Sequence, residues 1–338
     1  MRGCAISLAE QRRGRGGSMG NCRSTSRVLP VKTHVPDFEW KIEDFSSLLE
    51  TGAKSATSGP FHSSGYNWHL QVSPMHKKPG AKTAYVALCV YMQRQTSLEQ
   101  GHSVHAVFEL SIYNHSNGMY CGCKASHIFE FKNFTSNKHC LIPLQELLIS
   151  SDFLVDDSCV FGLEILKVDA FSPEKRAVVV QKKATKVENL FVQKKGYLEG
   201  TYTWTINNFL ELDHEQSFAR SPTFEVGGHK WYVGMYPCGG KYSTDCVSLY
   251  LYMDASKELP LNSGMVVQVT LSILDQNNGK YFTATTGLRV FSGPYGWGWP
   301  YFVGLKELKD PSRGYLVGSK CVIKADLAIV GSSTDGKI

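Results

Sequence analysis

The chain has 338 residues, 42% of them hydrophobic, and a mean hydropathy of -0.20, which suits two water-soluble domains of ordinary size. No stretch reaches the roughly 18 apolar residues a membrane-spanning helix needs, and the N-terminus lacks the apolar run of a secretory signal. The formal charge of +6 sits in residues 1–32, where seven Arg and Lys residues face only Glu10; the remainder is balanced and carries no basic field that would attract nucleic acid.

Residues 1–33 are Gly-, Arg- and Ser-rich and are expected to be a disordered basic segment. Within them "MGNCRS" begins at Met19. If translation started there, Gly20 would fit a myristoylation signal and Cys22 a palmitoylation site, and two acyl chains anchor stably where one does not. A membrane-tethered scaffold is therefore an alternative reading, and membrane contact is expected only in that acylated form. The ten cysteines show no disulfide-framework spacing. They read as reduced thiols, so a cytoplasmic or nuclear, non-secreted protein is expected.

From Phe38 the chain reads "FEWKIEDF", and "YTWTINNF" repeats it at Tyr202–Phe209. The echo continues in order. "GYNWHLQVSP" (Gly65–Pro74) matches "GHKWYVGMYP" (Gly228–Pro237), and "VALCVYM" (Val86–Met92) matches "VSLYLYM" (Val247–Met253). "SIYNHSNGMY" (Ser111–Tyr120) matches "SILDQNNGKY" (Ser272–Tyr281), "LQEL" matches "LKEL", and "LVDDSCVFGLEI" (Leu154–Ile165) matches "LVGSKCVIKADL" (Leu316–Leu327). A nearly constant spacing implies two copies of one domain, placed at 36–168 and 200–330. Residues 169–199 form a Lys-rich linker, with a strand expected at Ala177–Gln181, and 331–338 a tail.

Each copy is built of short alternating segments. In "VVQVTLSIL" Val267, Val269, Leu271 and Ile273 share one face. Asn117–Gly118 and Asn278–Gly279 mark tight hairpin turns. Such strands, with one short helix at "PLQELL" and "GLKELKD", predict an all-β fold of two tandem antiparallel eight-stranded β-sandwiches. Trp40, Trp68, Trp204 and Trp231 are assigned to the cores. The linker lacks the heptads of a coiled coil, so the oligomeric state is left undetermined.

The words "YTWTINNF", "GGHKWYVGMYP", "VSLYLYM", "GWGWPYFVGLKEL" and "GYLVGSKCVIKADLAIV" resemble the MATH (meprin and TRAF homology, TRAF-like) domain, and "WGWPYFVGLKELKDPSRGYLV" its plant branch. The resemblance implies a non-enzymatic adaptor that binds short extended peptides of partner proteins in a shallow groove, in ubiquitin-linked protein turnover. Carried over by position, the groove of the second copy would comprise Tyr250, Val269, Arg289, Trp297 and Trp299. Tyr250 has the non-core parity of its strand. Trp297 and Trp299 are two apart, so both could project from one face, with the core as the competing place for them, while Val269 has core parity. In the first copy Cys89 and Phe108 stand at the Tyr250 and Val269 positions, and the Trp–Gly–Trp element is absent, so that copy either binds something else or is a structural partner, the second reading being favoured.

No catalytic residues are expected. The catalytic boxes of MATH-bearing deubiquitinases need several hundred further residues, and no phosphate-binding glycine loop points to a cofactor. Cys121 and Cys123 stand one residue apart, too close for zinc-finger spacing, so no metal is expected either. A thiol hydrolase in the Cys- and His-rich part of the first copy is the competing reading of another class.

Overall fold

The computed structural model describes residues 31–32, 35–93, 102–130, 132–171, 185–212, 218–239, 245–254, 259, 263–293 and 295–336. Gly20, Cys22 and the strand expected at Ala177–Gln181 lie outside the described residues.

In chain order the first copy has β1 (Val31–Lys32), β2 (Phe38–Glu43), α1 (Phe45–Glu50), β3 (Ala56–Thr57), β4 (Phe61–Ser63), β5 (Tyr66–Lys77), β6 (Ala84–Met92), β7 (Ser103–Asn114), β8 (Met119–Glu130), β9 (His139–Pro143), α2 (Leu144–Ile149) and β10 (Cys159–Phe171). After β11 (Lys186–Val192) the second copy has β12 (Leu198–Ile206), β13 (Ala219–Arg220), β14 (Phe224–Val226), β15 (His229–Tyr236), β16 (Cys246–Met253), β17 (Ser263–Asp275), β18 (Lys280–Thr285), β19 (Leu288–Phe291), β20 (Trp297–Gly304), α3 (Leu305–Leu308), β21 (Leu316–Val317) and β22 (Lys320–Asp335).

The alternation read from the sequence is what buries the cores. In β2 Phe38, Trp40 and Ile42 are fully enclosed while Glu39, Lys41 and Glu43 are not. Val267, Val269, Leu271 and Ile273 of β17 are likewise enclosed. Each such side chain removed from water contributes about 1.5–3 kcal/mol. In the first copy one sheet runs β1–β8–β7–β10–β2 and the other joins β3 and β4 to β5, then β6 and β9. The second copy repeats this: β12–β22–β17 with β18 and β19 consecutively along β17, facing β13 and β14 on β15, then β16 and β20. All four core tryptophans fall between the sheets.

The duplication extends to single bonds. Trp68 Nε1 donates to Ser63 O at 2.9 Å and Trp231 Nε1 to Val226 O at 3.1 Å. Phe38 stacks on Phe61 at 4.5 Å, and Tyr202 on Phe224 at 4.2 Å. Ser58 Oγ accepts from Leu70 N at 3.0 Å and Ser221 Oγ from Val233 N at 2.9 Å.

Two details differ from expectation. Of each Asn–Gly pair only the glycine takes a positive φ, +69° at Gly118 and +68° at Gly279. The hairpins are four-residue loops in which Asn114 and Asp275 side chains accept backbone N–H groups, so the turn chemistry begins at the Asx residue before the pair. The six-residue helix α1 is also unexpected; its apolar residues have the helical i, i+3 spacing, Phe45 and Leu48 entering the first core, over too short a stretch to stand out between strands.

The copies are joined by strands. β11, in the stretch expected as a linker, lies parallel to β2 and antiparallel to β22. Separately, β3 of the first copy lies parallel to β19 of the second, Ala56 opposite Leu288 and Thr57 opposite Arg289.

Candidate functional site

The five residues expected to line a groove do not share one surface. Tyr250 is half-buried on the outer face of β16, opposite Gly234 and Gly298, with the rings of Tyr236 and Tyr252 at 6.4 and 6.2 Å. Val269 is fully buried in the second core. Trp297 and Trp299 lie opposite Leu251 and Leu249, and directly opposed residues point to one side of a sheet. Both therefore face inward at the rim of the sandwich, away from Tyr250, and Trp299 meets the buried Phe302 at 5.7 Å.

Arg289 and Trp297 are brought together. The guanidinium lies 4.8 Å from the centre of the Trp297 ring, and Trp297 Nε1 donates to Val290 O at 3.0 Å. Their outer side is covered by the first copy. His69 and Tyr91 meet the Trp297 ring at 5.3 and 5.8 Å. Arg289 Nη1 donates to Thr57 Oγ1, which also accepts Gln71 Nε2 at 2.9 Å, and Gln71 Oε1 accepts the Cys89 thiol at 3.2 Å. Leu288 N–H donates to Ser55 O at 2.7 Å. A Cβ on Gly287 would stand 2.3 Å from that oxygen, so the strands meet at a distance only glycine allows.

Burial sets the charge states along this seam. His69 is 3% exposed, and enclosure pulls its pKa down to about 4. The ring is neutral at pH 7, with Nδ1 donating to Ser58 O at 2.9 Å. Burial likewise lowers the pKa of Arg289, against the pull of Tyr91 and Cys89. At the β11 junction Glu188, 2% exposed, accepts Gly59 N–H at 3.0 Å. Enclosure raises its carboxyl above the usual range, outweighing that bond and Lys186, which lower it.

The first-copy residues in this seam carried no sequence signal. Period-two parity puts His69, Gln71 and Ser73 on the solvent side of β5, yet β5 is buried without a break from Trp68 to Pro74, because a second domain covers its outer face.

Among the described residues no group of three or more His, Cys, Asp or Glu side chains is placed to hold a metal ion. Burial pushes the Cys89 thiol up to about 11 and Cys321 to about 12, and raises Cys121 and Cys159, the opposite of an activated nucleophile.

The family profile of the MATH domain matches residues 37–165 and again 201–327, which are the two sandwiches. The chain belongs to the MATH-domain family. It is 33% identical over 129 residues to ubiquitin C-terminal hydrolase 12 of Arabidopsis thaliana, covering 38% of this chain and 11% of that protein. It is 30% identical over 146 residues to TNF receptor-associated factor homolog 1a of the same plant, covering 43% and 13%. A MATH domain and coiled-coil domain-containing protein of A. thaliana is 30% identical over 138 residues, covering 40% and 41%. The chain thus spans less than half the length of each of these relatives, and each match has the extent of about one sandwich. MATH domains mediate protein–protein interaction, and the match to the ubiquitin hydrolase lies in its MATH part. The described helices have at most six residues, and none is long and apolar enough to cross a membrane.

Proposed function

We propose that this MATH protein is a non-enzymatic adaptor that binds short extended segments of partner proteins, with domains at 36–168 and 200–330. The observation that carries the reading is that β19 already holds an extended segment, Ala56–Thr57, as an added parallel strand flanked by Arg289 and Trp297. Strand addition to a sheet edge supplies affinity through backbone hydrogen bonds and selectivity through side-chain pockets. The groove is the rim formed by Arg289, Trp297 and Trp299, with Val269 beneath it and Tyr250 outside it. A partner segment competes there with the first domain, so its affinity is modest: it gives up its own ordering entropy and displaces a tethered rival. The buried, raised thiols support a role without covalent chemistry. The likeness to plant proteins named as ubiquitin hydrolases and TNF receptor-associated factor homologs supports ubiquitin-linked turnover as the setting, in the cytoplasm or nucleus.

A library of short peptides selected on the full chain tests this. Enrichment is lost with Trp297→Ala and kept with Tyr250→Ala. A folded Trp297→Ala variant that retains every ligand places the groove elsewhere.

A further inference from the structure

The two copies correspond residue by residue through their strand registers. On the side that the first copy gives to the second, Thr57 lies opposite Gln71 as Arg220 lies opposite Gly234. His69 lies opposite Tyr91 as Tyr232 lies opposite Tyr252. On the side that the second copy offers in return, Arg289 lies opposite Val267 as His127 lies opposite Ala106. Trp299 faces Leu249 as His139 faces Leu88, which puts Asn137 at the place of Trp297.

Among the described residues only one of each pair of surfaces is used within the chain. The giving face of the first copy sits on the receiving edge of the second, and no described residue covers the giving face of the second copy or the receiving edge of the first. Both are strand edges among the described residues: β13 ends its sheet, and β8 has β7 along one side, while β1 covers its other side only at Tyr120 and Cys121. An uncovered edge is usually blunted by charge, proline or a bulge. β8 presents Ile128, 50% exposed, between the exposed Lys124 and Glu130, and the residue before the two-residue β13 is Phe218, 45% exposed. Phe218 holds the place of Ser55, whose carbonyl receives the Leu288 N–H.

The side chains at each pair of surfaces include one guanidinium. Within the chain Arg289, on the receiving edge, meets the small Thr57, and Trp297 meets His69 and Tyr91. At the unused surfaces the guanidinium is on the giving face, as Arg220, and His127 holds the place of Arg289 on the receiving edge. Tyr252 keeps the aromatic place of Tyr91, and Asn137 stands at the place of Trp297.

We propose that copies of this chain associate head to tail, with β13 of one molecule adding in parallel to β8 of the next as β3 adds to β19 within each. Such a contact joins two different surfaces, so it is heterologous, and where its rotation does not close a ring it extends as an open series. It lacks the tethering strand β11, so it is weaker than the junction inside the chain and depends on protein concentration.

Sedimentation velocity of the full chain from micromolar to millimolar concentration tests the proposal. The weight-average mass should rise past that of a dimer, and without a plateau where the series is open. Ile128→Asp removes the receiving edge and Phe218→Asp the giving face; each variant alone should be monomeric at every concentration, with an unchanged far-ultraviolet circular dichroism spectrum. Mixed together they should form a one-to-one complex and nothing larger, because each keeps the end the other has lost. A wild-type chain that stays monomeric throughout overturns the proposal. So does self-association that survives both substitutions, or a mixture of the two variants that forms no complex.

Discussion

Gly287→Ala probes the β3–β19 seam at its tightest point. The added methyl would stand 2.3 Å from Ser55 O, about 1 Å inside ordinary contact, so the β3 backbone has to retreat. Retreat lengthens the Leu288–Ser55 hydrogen bond of 2.7 Å, worth about 1 kcal/mol. It also draws Thr57 from the Arg289 guanidinium, a charged hydrogen bond worth about 1.5–3 kcal/mol, and loosens the rings of His69 and Tyr91 on Trp297, worth about 0.5–1.5 kcal/mol. Relaxation recovers part of this, which leaves an expected loss of about 2–4 kcal/mol at the seam. Exchange of the Leu288 amide should then accelerate about 30- to 700-fold, at about 1.4 kcal/mol per tenfold. Gly304→Ala is the control: a Cβ there meets nothing within 4 Å, and the effect should stay within about 0.5 kcal/mol. If the two substitutions leave the Leu288 amide equally protected, the two copies are not held by this strand pair.

Trp40, with no exposed surface, should cost about 3–5 kcal/mol when replaced by Ala; its buried Nε1 has no hydrogen-bond partner, so Trp40→Phe should cost far less, and urea titration of both variants separates the two outcomes. Stability should fall on acidification because His69 ionises near 6.5 when unfolded and near 4 when folded. That contribution is complete above 6.5 and fades between 6.5 and 4, up to about 3 kcal/mol. Glu188 acts in the opposite sense, since its folded pKa is raised: protonation favours the fold, so Glu188→Gln should steepen the acid loss and His69→Gln flatten it in urea midpoints measured against pH. The thiols of Cys89 and Cys321, held near 11 and 12, should resist alkylation at neutral pH in the native protein and react at once in denaturant.

The duplication and the sandwich were legible because they are written in a local code. Period-two alternation and Trp at matched positions decide which face of a strand is dry, and Trp40, Trp68, Trp204 and Trp231 are core for that reason alone. Strand β11 was not legible. Its buried positions are Glu188, Leu190 and Val192, and an acid in the series hides the alternation; the Gly59 N–H, the Ser333 hydroxyl and Lys186 that partner Glu188 explain why it is inside. Parity correctly separated Val269 from the surface and put Trp297 and Trp299 on one face, but it could not tell that this face opposes Tyr250. That follows from the register of β16 with β20, which depends on a loop. The cover that Thr57, His69 and Tyr91 place over Arg289 and Trp297 comes from packing between residues more than 200 apart in the chain, and no window of sequence contains it.

In the function proposed above, the Arg289–Trp297 edge accepts an extended segment, and the first domain occupies that edge within the molecule. Calorimetric titration of a selected peptide into the full chain and into a Thr57→Ala, His69→Ala double variant tests this directly, because both changes lie in the first domain and leave the second untouched. Competition predicts tighter binding to the double variant, with Trp297→Ala abolishing binding in either background. Equal affinity for wild type and double variant, undiminished by Trp297→Ala, would contradict it.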